Sequence, residues 1–162
     1  MARGLNVIIV DDDEILCKML SRNIESFYSW GKVISFSKFD EAMSYCLNCK
    51  VGLAVFVVDV FLDGKSGFYF LDSIREIFPS AHHDAIIITG NASDDIVDMC
   101  VASEVNYLLE KPVKPYAMQL AVRSIVSKYL SFSKLLMTDT NFAESVASIE
   151  QVWTHEKQEA KL

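Results

Sequence analysis

A chain of 162 residues, 51% hydrophobic and 23% charged, has the size of one packed domain with a short appendage, and its six glycines and three prolines argue against a disordered or repetitive chain. A formal net charge of −7 argues against a surface that coats phosphates, so neither nucleic acid nor anionic lipid is an expected partner. The apolar run at 53–62 is broken by Asp59 and falls short of the ~20 residues a membrane span needs, and MARGLNVIIVDDD holds no signal-peptide core, so the expected location is the cytoplasm.

In chain order, LNVIIV (5–10) reads as a short strand ending in three acids. Ile15, Leu16, Met19, Leu20, Ile24 and Phe27 then share one helical face behind aspartates placed to cap its start. KVISF (32–36) predicts a second strand, and Phe39, Ala42, Met43, Cys46 and Leu47 a second helix. LAVFVVD (53–59) is a strand apolar on both faces. GKSG makes a turn, and Phe70, Leu71, Ile74, Ile77 and Phe78 mark a third helix stopped by Pro79. AIIIT (85–89) predicts the fourth strand, with Ile96, Val97, Cys100 and Val101 on the helix after it. NYLLE (106–110) is the fifth strand, and a helix from Pro115 carries Met118, Leu120, Ala121, Ile125, Val126 and Leu130. Five β-then-α units in a row require a doubly wound parallel sheet with helices on both faces.

The four cysteines, Cys17, Cys46, Cys49 and Cys100, sit in apolar-periodic segments and read as reduced core fillers. The C-L-N-C pair lies near a helix end, where nothing lowers a thiol pKa, and lacks two further ligands at zinc spacing. His82 and His83 fall in a polar loop, FPSAHHDA, where no metal role is expected.

In a doubly wound sheet, ligands bind beyond the carboxyl ends of the strands. Those ends carry Asp11 and Asp12, then Asp59, Thr89 and Lys111. Three crowded carboxylates repel one another unless a cation joins them. A hard divalent ion such as Mg²⁺ takes carboxylate and carbonyl oxygens, and a lysine and a hydroxyl beside it make a metal-plus-phosphate arrangement.

The motifs VDD, VDVFLDGKSG, ITG and EKP, in that order, resemble those of the receiver domains of two-component response regulators, over about Leu5 to Leu130. The resemblance implies a flavodoxin-like five-stranded parallel sheet of order 2-1-3-4-5, with a receiver at 1–132 and a helical extension at 133–162. It implies that Asp59 is the phosphoacceptor, Asp12 the direct Mg²⁺ ligand, Asp11 its water-linked neighbour and the Phe61 backbone carbonyl a further ligand. Lys111 pairs with the phosphoryl group, and Thr89 is the switch hydroxyl. The expected partner is a sensor histidine kinase or a histidine phosphotransfer protein. The expected reaction is phosphoryl transfer to Asp59 followed by slow self-catalysed hydrolysis. Phe61 and Asn91 flank the site where receivers tune dephosphorylation.

Three departures from the family pattern stand out. Asp63 replaces a frequent proline, and Asp13 and Glu14 extend the acidic pair as helix N-terminal charges. Leu108 stands where Tyr or Phe is frequent, with Tyr107 pointing to the other face. The haloacid dehalogenase-like phosphohydrolases use similar groups but place the nucleophile in D-x-D on the first strand, the reverse of the order here. A flavodoxin-type cofactor carrier would need a Gly- or Ser/Thr-rich loop after the first strand. The remaining alternative is a receiver-like interaction module that works without phosphorylation.

Beyond the receiver, TDTN (138–141) breaks the preceding helix, and Asn141 with Glu144 resembles a capping box. Phe142, Val146, Ile149 and Trp153, with Val152 beside them, form the apolar stripe of an amphipathic helix at about 141–158, while Glu150, Glu156 and Lys157 face elsewhere. Such a stripe requires a surface, either its own receiver, a second chain as a homodimer, or a further domain, and Trp153 is expected to be shielded in each case.

Overall fold

Four runs rich in Val and Ile, and a fifth of Tyr and Leu, form one parallel sheet: β1 (Asn6–Val10), β2 (Val33–Phe36), β3 (Ala54–Asp59), β6 (Ala85–Thr89) and β7 (Tyr107–Glu110). Their spatial order is β2-β1-β3-β6-β7, the expected 2-1-3-4-5 with two short strands counted in between. Those are β4 (Phe61–Leu62) and β5 (Lys65–Ser66), an antiparallel pair where the sequence suggested only a turn. Asp63 and Gly64 close it with positive φ, a conformation that glycine reaches without steric cost. The computed structural model describes residues 4–159, and the side chains of 150 and 152–159 lie outside that description. The expectations for Glu150, Val152, Trp153, Glu156 and Lys157 therefore fall outside the described side chains.

The chain divides into two compact units, Met1–Ile125 and Val126–Leu162. In the first unit every side chain of β3 and β6 is buried, as a central strand covered on both faces requires. One face of the sheet, with Ile8, Val10, Phe56, Val58 and Ile87, joins the cluster built by α2 (Phe39–Leu47), α3 (Gly67–Ser73) and α4 (Asp94–Ala102). Phe56 meets Phe70 and Phe78 edge-on at 6.4 and 5.2 Å between ring centres. Val7, Ile9, Val57 and Ile88 alternate to the opposite face, and α1 (Glu14–Glu25) packs on β1 and β2.

Several helical stripes differ from their expected form. On α1 the buried side chains are Cys17, Leu20 and Ile24, while Ile15 and Met19 are exposed. The apolar arc of α1 is wider than its contact, and periodicity alone does not choose which part of a wide arc is covered. Helix α3 ends at Ser73, short of the expected stop at Pro79, with Ile74 and Phe78 buried beyond it in turns. On α4 only Ile96 and Cys100 are buried, whereas Val97 and Val101 are exposed. His82 is buried, and its Nε2 lies 2.8 Å from Asp72 Oδ1 on α3. Cys17, Cys46 and Cys100 are buried free thiols, and Cys49 is half-buried.

Helix α5 (Pro115–Thr138) begins in the first unit, where Met118, Ala121, Val122 and Ile125 are buried. Its end and α6 (Thr140–Glu159) make up the second unit. The cap of α6 is Asp139, whose Oδ1 accepts the Phe142 N–H at 3.0 Å. The expected Asn141 is instead inside the helix. An aspartate one residue before the helix satisfies the orphan N–H directly, so the capping box has no role to fill.

Candidate functional site

The parallel register sets the site. Asp59 ends β3 opposite Ile88, and Thr89 ends β6 opposite Glu110. The Lys111 N–H donates to the Thr89 carbonyl at 2.7 Å, and the Asp11 N–H to the Phe36 carbonyl at 3.2 Å. Each polar residue is therefore the first one beyond, or the last one within, a paired strand. The sheet can carry them there because its hydrogen bonds satisfy the backbone below.

Asp11, Asp59 and Thr89 are 0%, 6% and 2% exposed, so two acids and a hydroxyl are withdrawn from water at one rim. Lys111 bridges the acids. Its Nζ lies 2.9 Å from Asp11 Oδ2 and donates a short hydrogen bond to Asp59 Oδ2. Asp59 Oδ1 accepts the Phe61 N–H at 3.0 Å, and Asp11 Oδ1 accepts the Asp13 N–H at 2.8 Å. Asp13 in turn caps α1, accepting from the Leu16 N–H at 3.1 Å, and Glu14 adds a charge in the first turn. The Thr89 hydroxyl is held by its own loop, accepting the Asn91 N–H at 3.3 Å and donating to the Asn91 carbonyl at 3.3 Å.

One lysine faces two buried carboxylates, and the electrostatics show the imbalance. Burial pushes the Asp11 carboxyl up to about 6, with the neighbouring Asp59 adding to the rise against the Asp13 N–H and Lys111. Burial would pull the Lys111 ammonium down, but the carboxylates of Asp59 and Asp11 together outweigh it and hold it above its ordinary value. Asp12 is exposed, yet one oxygen each from Asp11, Asp12 and Asp59 lies within 4.8 Å of the others. Three hard oxygen donors at that spacing, one of them resisting ionisation, fit a hard divalent cation.

The sequence-selected Asp11, Asp12, Asp59, Thr89 and Lys111 all converge on this rim. Phe61 stands beside it with its backbone N–H on Asp59 and its side chain 69% exposed. Leu108 packs against the α2–α3–α4 cluster, while the half-buried Tyr107 is paired with Ile86 in the sheet. Two supporting residues were not among the site residues selected from the sequence. The Cys17 thiol, read only as core, donates to the Asp11 carbonyl at 3.2 Å. Gly67 packs so closely that a Cβ there would lie 2.1 Å from the Asp59 carbonyl oxygen. A glycine at a helix start next to the key acid is a recognisable hint of close backbone approach, whereas nothing in the sequence singles out Cys17.

Comparison with known proteins agrees with this geometry. A family model described as the response regulator receiver domain matches residues 7–123. The cyclic di-GMP phosphodiesterase response regulator RpfG of Xanthomonas campestris pv. campestris is 29% identical over 153 residues, covering 87% of this chain. This chain spans 39% of the length of that relative. Among solved structures, the beryllofluoride-activated NtrC4 receiver domain dimer is 26% identical at a TM-score of 0.65, over 76% of this chain and 98% of that one. The chemotaxis protein CheY4 of Vibrio cholerae has a TM-score of 0.64 at 19% identity, over 75% and 98% of the two chains.

Proposed function

The chain belongs to the response regulator receiver domain family, and we propose on that premise that it is a phosphorylation-dependent signalling receiver whose phosphoacceptor is Asp59. The observation that carries this reading is the single lysine shared by two buried acids, Asp11 and Asp59, at the ends of adjacent strands. In the proposed reaction an Asp59 carboxylate oxygen attacks the phosphorus of a partner's phosphohistidine. The P–N bond breaks, the electron pair stays on the imidazole, and an acyl phosphate is left on the protein. Hydrolysis later returns Asp59 and inorganic phosphate.

Asp11, Asp12, Asp59 and the Phe61 backbone carbonyl would hold Mg²⁺, with Asp12 as the direct ligand and Asp11 linked through water. When bound, the ion neutralises charge on the transferring phosphoryl oxygens. Lys111 is placed to exchange its contact with Asp59 for one to a phosphoryl oxygen, and Thr89 to give up its Asn91 contacts and donate to another. With Leu108 at the position three before the lysine, the response to phosphorylation runs without an aromatic rotamer at that position. The phosphodonor is a sensor histidine kinase or a histidine phosphotransfer protein in the cytoplasm. Among the described residues no helix is long and apolar enough to cross a membrane. The receiver occupies 1–132, and self-association through the helical extension completes the reading, since a 26% identical receiver is a dimer in its activated form.

The test is intact mass after exposure to acetyl phosphate or phosphoramidate with Mg²⁺. One phosphate adduct is expected, absent in Asp59→Asn and suppressed by chelator. An unchanged adduct in Asp59→Asn overturns the assignment, and no adduct on the wild type favours an interaction module that works without phosphorylation.

A further inference from the structure

Strands β4 and β5 have two residues each, too few to hold a hairpin in place by themselves. Leu62 pairs with Lys65 and Phe61 with Ser66, and residues directly opposite in an antiparallel ladder share a face. Leu62 is buried in the core cluster with Phe39, so Lys65 lies toward α2 beside it. The Phe61 side chain is on the other face, and its N–H donates to Asp59 Oδ1. Lys65 Nζ stands 4.4 Å over the Phe39 ring and 3.8 Å from Asp40 Oδ1, on the first two residues of α2. Phe39 is a firm platform, buried, stacked on Tyr69 at 6.0 Å and edge-on to Phe70 at 5.9 Å. The rest of this junction is open. Lys38, Phe39, Asp40, Glu41, Asp63 and Lys65 line a cleft of about 480 Å³, so close packing does not tie the turn down.

We infer that Lys65 is a positioning residue that clamps the β4–β5 hairpin to α2 and so keeps Phe61 between water and the acyl phosphate on Asp59. The inference rests on the phosphoacceptor reading above and names a residue that sets how long the phosphoryl group lasts. The path is short. Lys65 precedes Ser66, Ser66 pairs with Phe61, and Phe61 reaches Asp59 through its N–H. In hydrolysis a water oxygen attacks phosphorus and the P–O bond to Asp59 breaks. The electron pair returns to the carboxylate, and the water proton leaves with inorganic phosphate or to solvent. Water reaches the phosphorus when the hairpin lifts, so the rate of loss follows the lifted fraction, whereas uptake draws on the closed majority. The Lys65 and Asp40 side chains are 49% and 93% exposed, so their ion pair adds little. The cation over the Phe39 ring carries the clamp, and its loss should raise the lifted fraction about two- to five-fold.

The experiment follows decay of the phosphate adduct by intact mass in the full chain after acetyl phosphate is removed, and amide hydrogen exchange by NMR in the unphosphorylated protein. Lys65→Met keeps the stem and removes the ammonium. It should shorten the adduct lifetime about two- to five-fold, speed exchange of the Phe61 N–H by a similar factor, and leave the uptake rate unchanged. Lys65→Arg, which keeps a cation able to stack on a ring, should match wild type in both. In a Phe61→Asn background, Lys65→Met should shorten the lifetime no further, a coupling that a general loss of stability does not produce. A Lys65→Met lifetime equal to wild type, an undiminished effect in the Phe61→Asn background, or an arginine variant that behaves like the methionine one overturns the inference. A wild type that takes up no phosphate overturns the phosphoacceptor reading instead, and exchange of the Phe61 N–H then decides the clamp: unchanged exchange in Lys65→Met overturns it as well.

Discussion

Asp11 tests the electrostatic logic of the site without touching the nucleophile. Asp11→Asn keeps the side chain's shape and an oxygen for the Asp13 N–H, removes the charge, and puts an amide NH₂ in place of the Oδ2 that faces Lys111. The wild-type carboxyl is raised from an ordinary 3.8 to about 6, by burial first and by Asp59 next. The folded state therefore holds the proton more tightly than the unfolded chain, and ionisation opposes folding. The penalty is absent below about pH 4, grows between about 4 and 6, and is complete above 6. A gap of about two pH units at ~1.36 kcal/mol each makes it about 3 kcal/mol. The attraction to Lys111 is already contained in that shift. In chelator at about pH 8, Asp11→Asn should be more stable than wild type by up to about 3 kcal/mol, which for a chain of this size is roughly 6–12 °C in Tm. At about pH 4 the two should unfold together. Mg²⁺ should narrow the gap at about pH 8, since it stabilises the wild type more than the variant. The assay is urea unfolding at both pH values, with chelator or with Mg²⁺. An advantage that is absent at high pH, or that does not change with pH, refutes the reasoning.

Lys111→Ala leaves two buried acids with no cation between them, so it should cost about 3 kcal/mol near neutral pH. Urea midpoints with and without Mg²⁺ should show the metal recovering more stability in this variant than in wild type. Phe61→Asn should change stability by less than about 0.5 kcal/mol, because the side chain is exposed. It should also shorten the acyl phosphate lifetime, read as decay of the mass adduct, by opening the approach to attacking water. An equal or longer lifetime removes that role for Phe61. His82→Ala should cost about 2 kcal/mol in the same unfolding assay, because it deletes a buried ring bonded to Asp72.

The sheet was legible because its central strands are apolar on both faces and end in a polar residue, Asp59 on β3 and Thr89 on β6, a pattern a helix does not produce. Ala85–Thr89 has the bounds read from AIIIT, and β3 lacks only Leu53 of its expected run. The site was legible for the same reason, since a carboxylate following five buried apolar residues, 54–58, has no packing role. Periodicity does not say which part of a wide apolar arc is covered, so Ile15 and Met19 on α1 and Val97 and Val101 on α4 were assigned to the core and are exposed. Local chemistry competed elsewhere. The pair Asp63–Gly64 supports a hairpin turn and so turned a loop into β4 and β5. Asp139 took the capping place expected of Asn141. A side-chain contact to a backbone carbonyl, such as that of the Cys17 thiol to Asp11, leaves almost no trace in residue type.

Gly67 shows how tightly the acid is held. Its N–H donates to the Val60 carbonyl at 2.8 Å, and Ser66 before it caps α3 by accepting the Phe68 N–H at 3.1 Å. A Cβ at Gly67 would lie 2.1 Å from the Asp59 carbonyl oxygen and 2.9 Å from Val58 Cγ1. The first neighbour is backbone, so it cannot rotate away. Either α3 or the end of β3 must move, and the Asp59 carboxylate then leaves its alignment with Lys111. Gly64 is the internal control, because a Cβ there meets nothing within 4 Å and pays only for its φ of +77°. Gly67→Ala should therefore cost about 1–3 kcal/mol and slow phosphate uptake by ten-fold or more, on the order of what a misplacement near 1 Å produces. Gly64→Ala should cost about 1 kcal/mol and leave the uptake rate unchanged. Equal uptake rates in the two alanine variants would mean that β3, not its contact with α3, fixes the nucleophile.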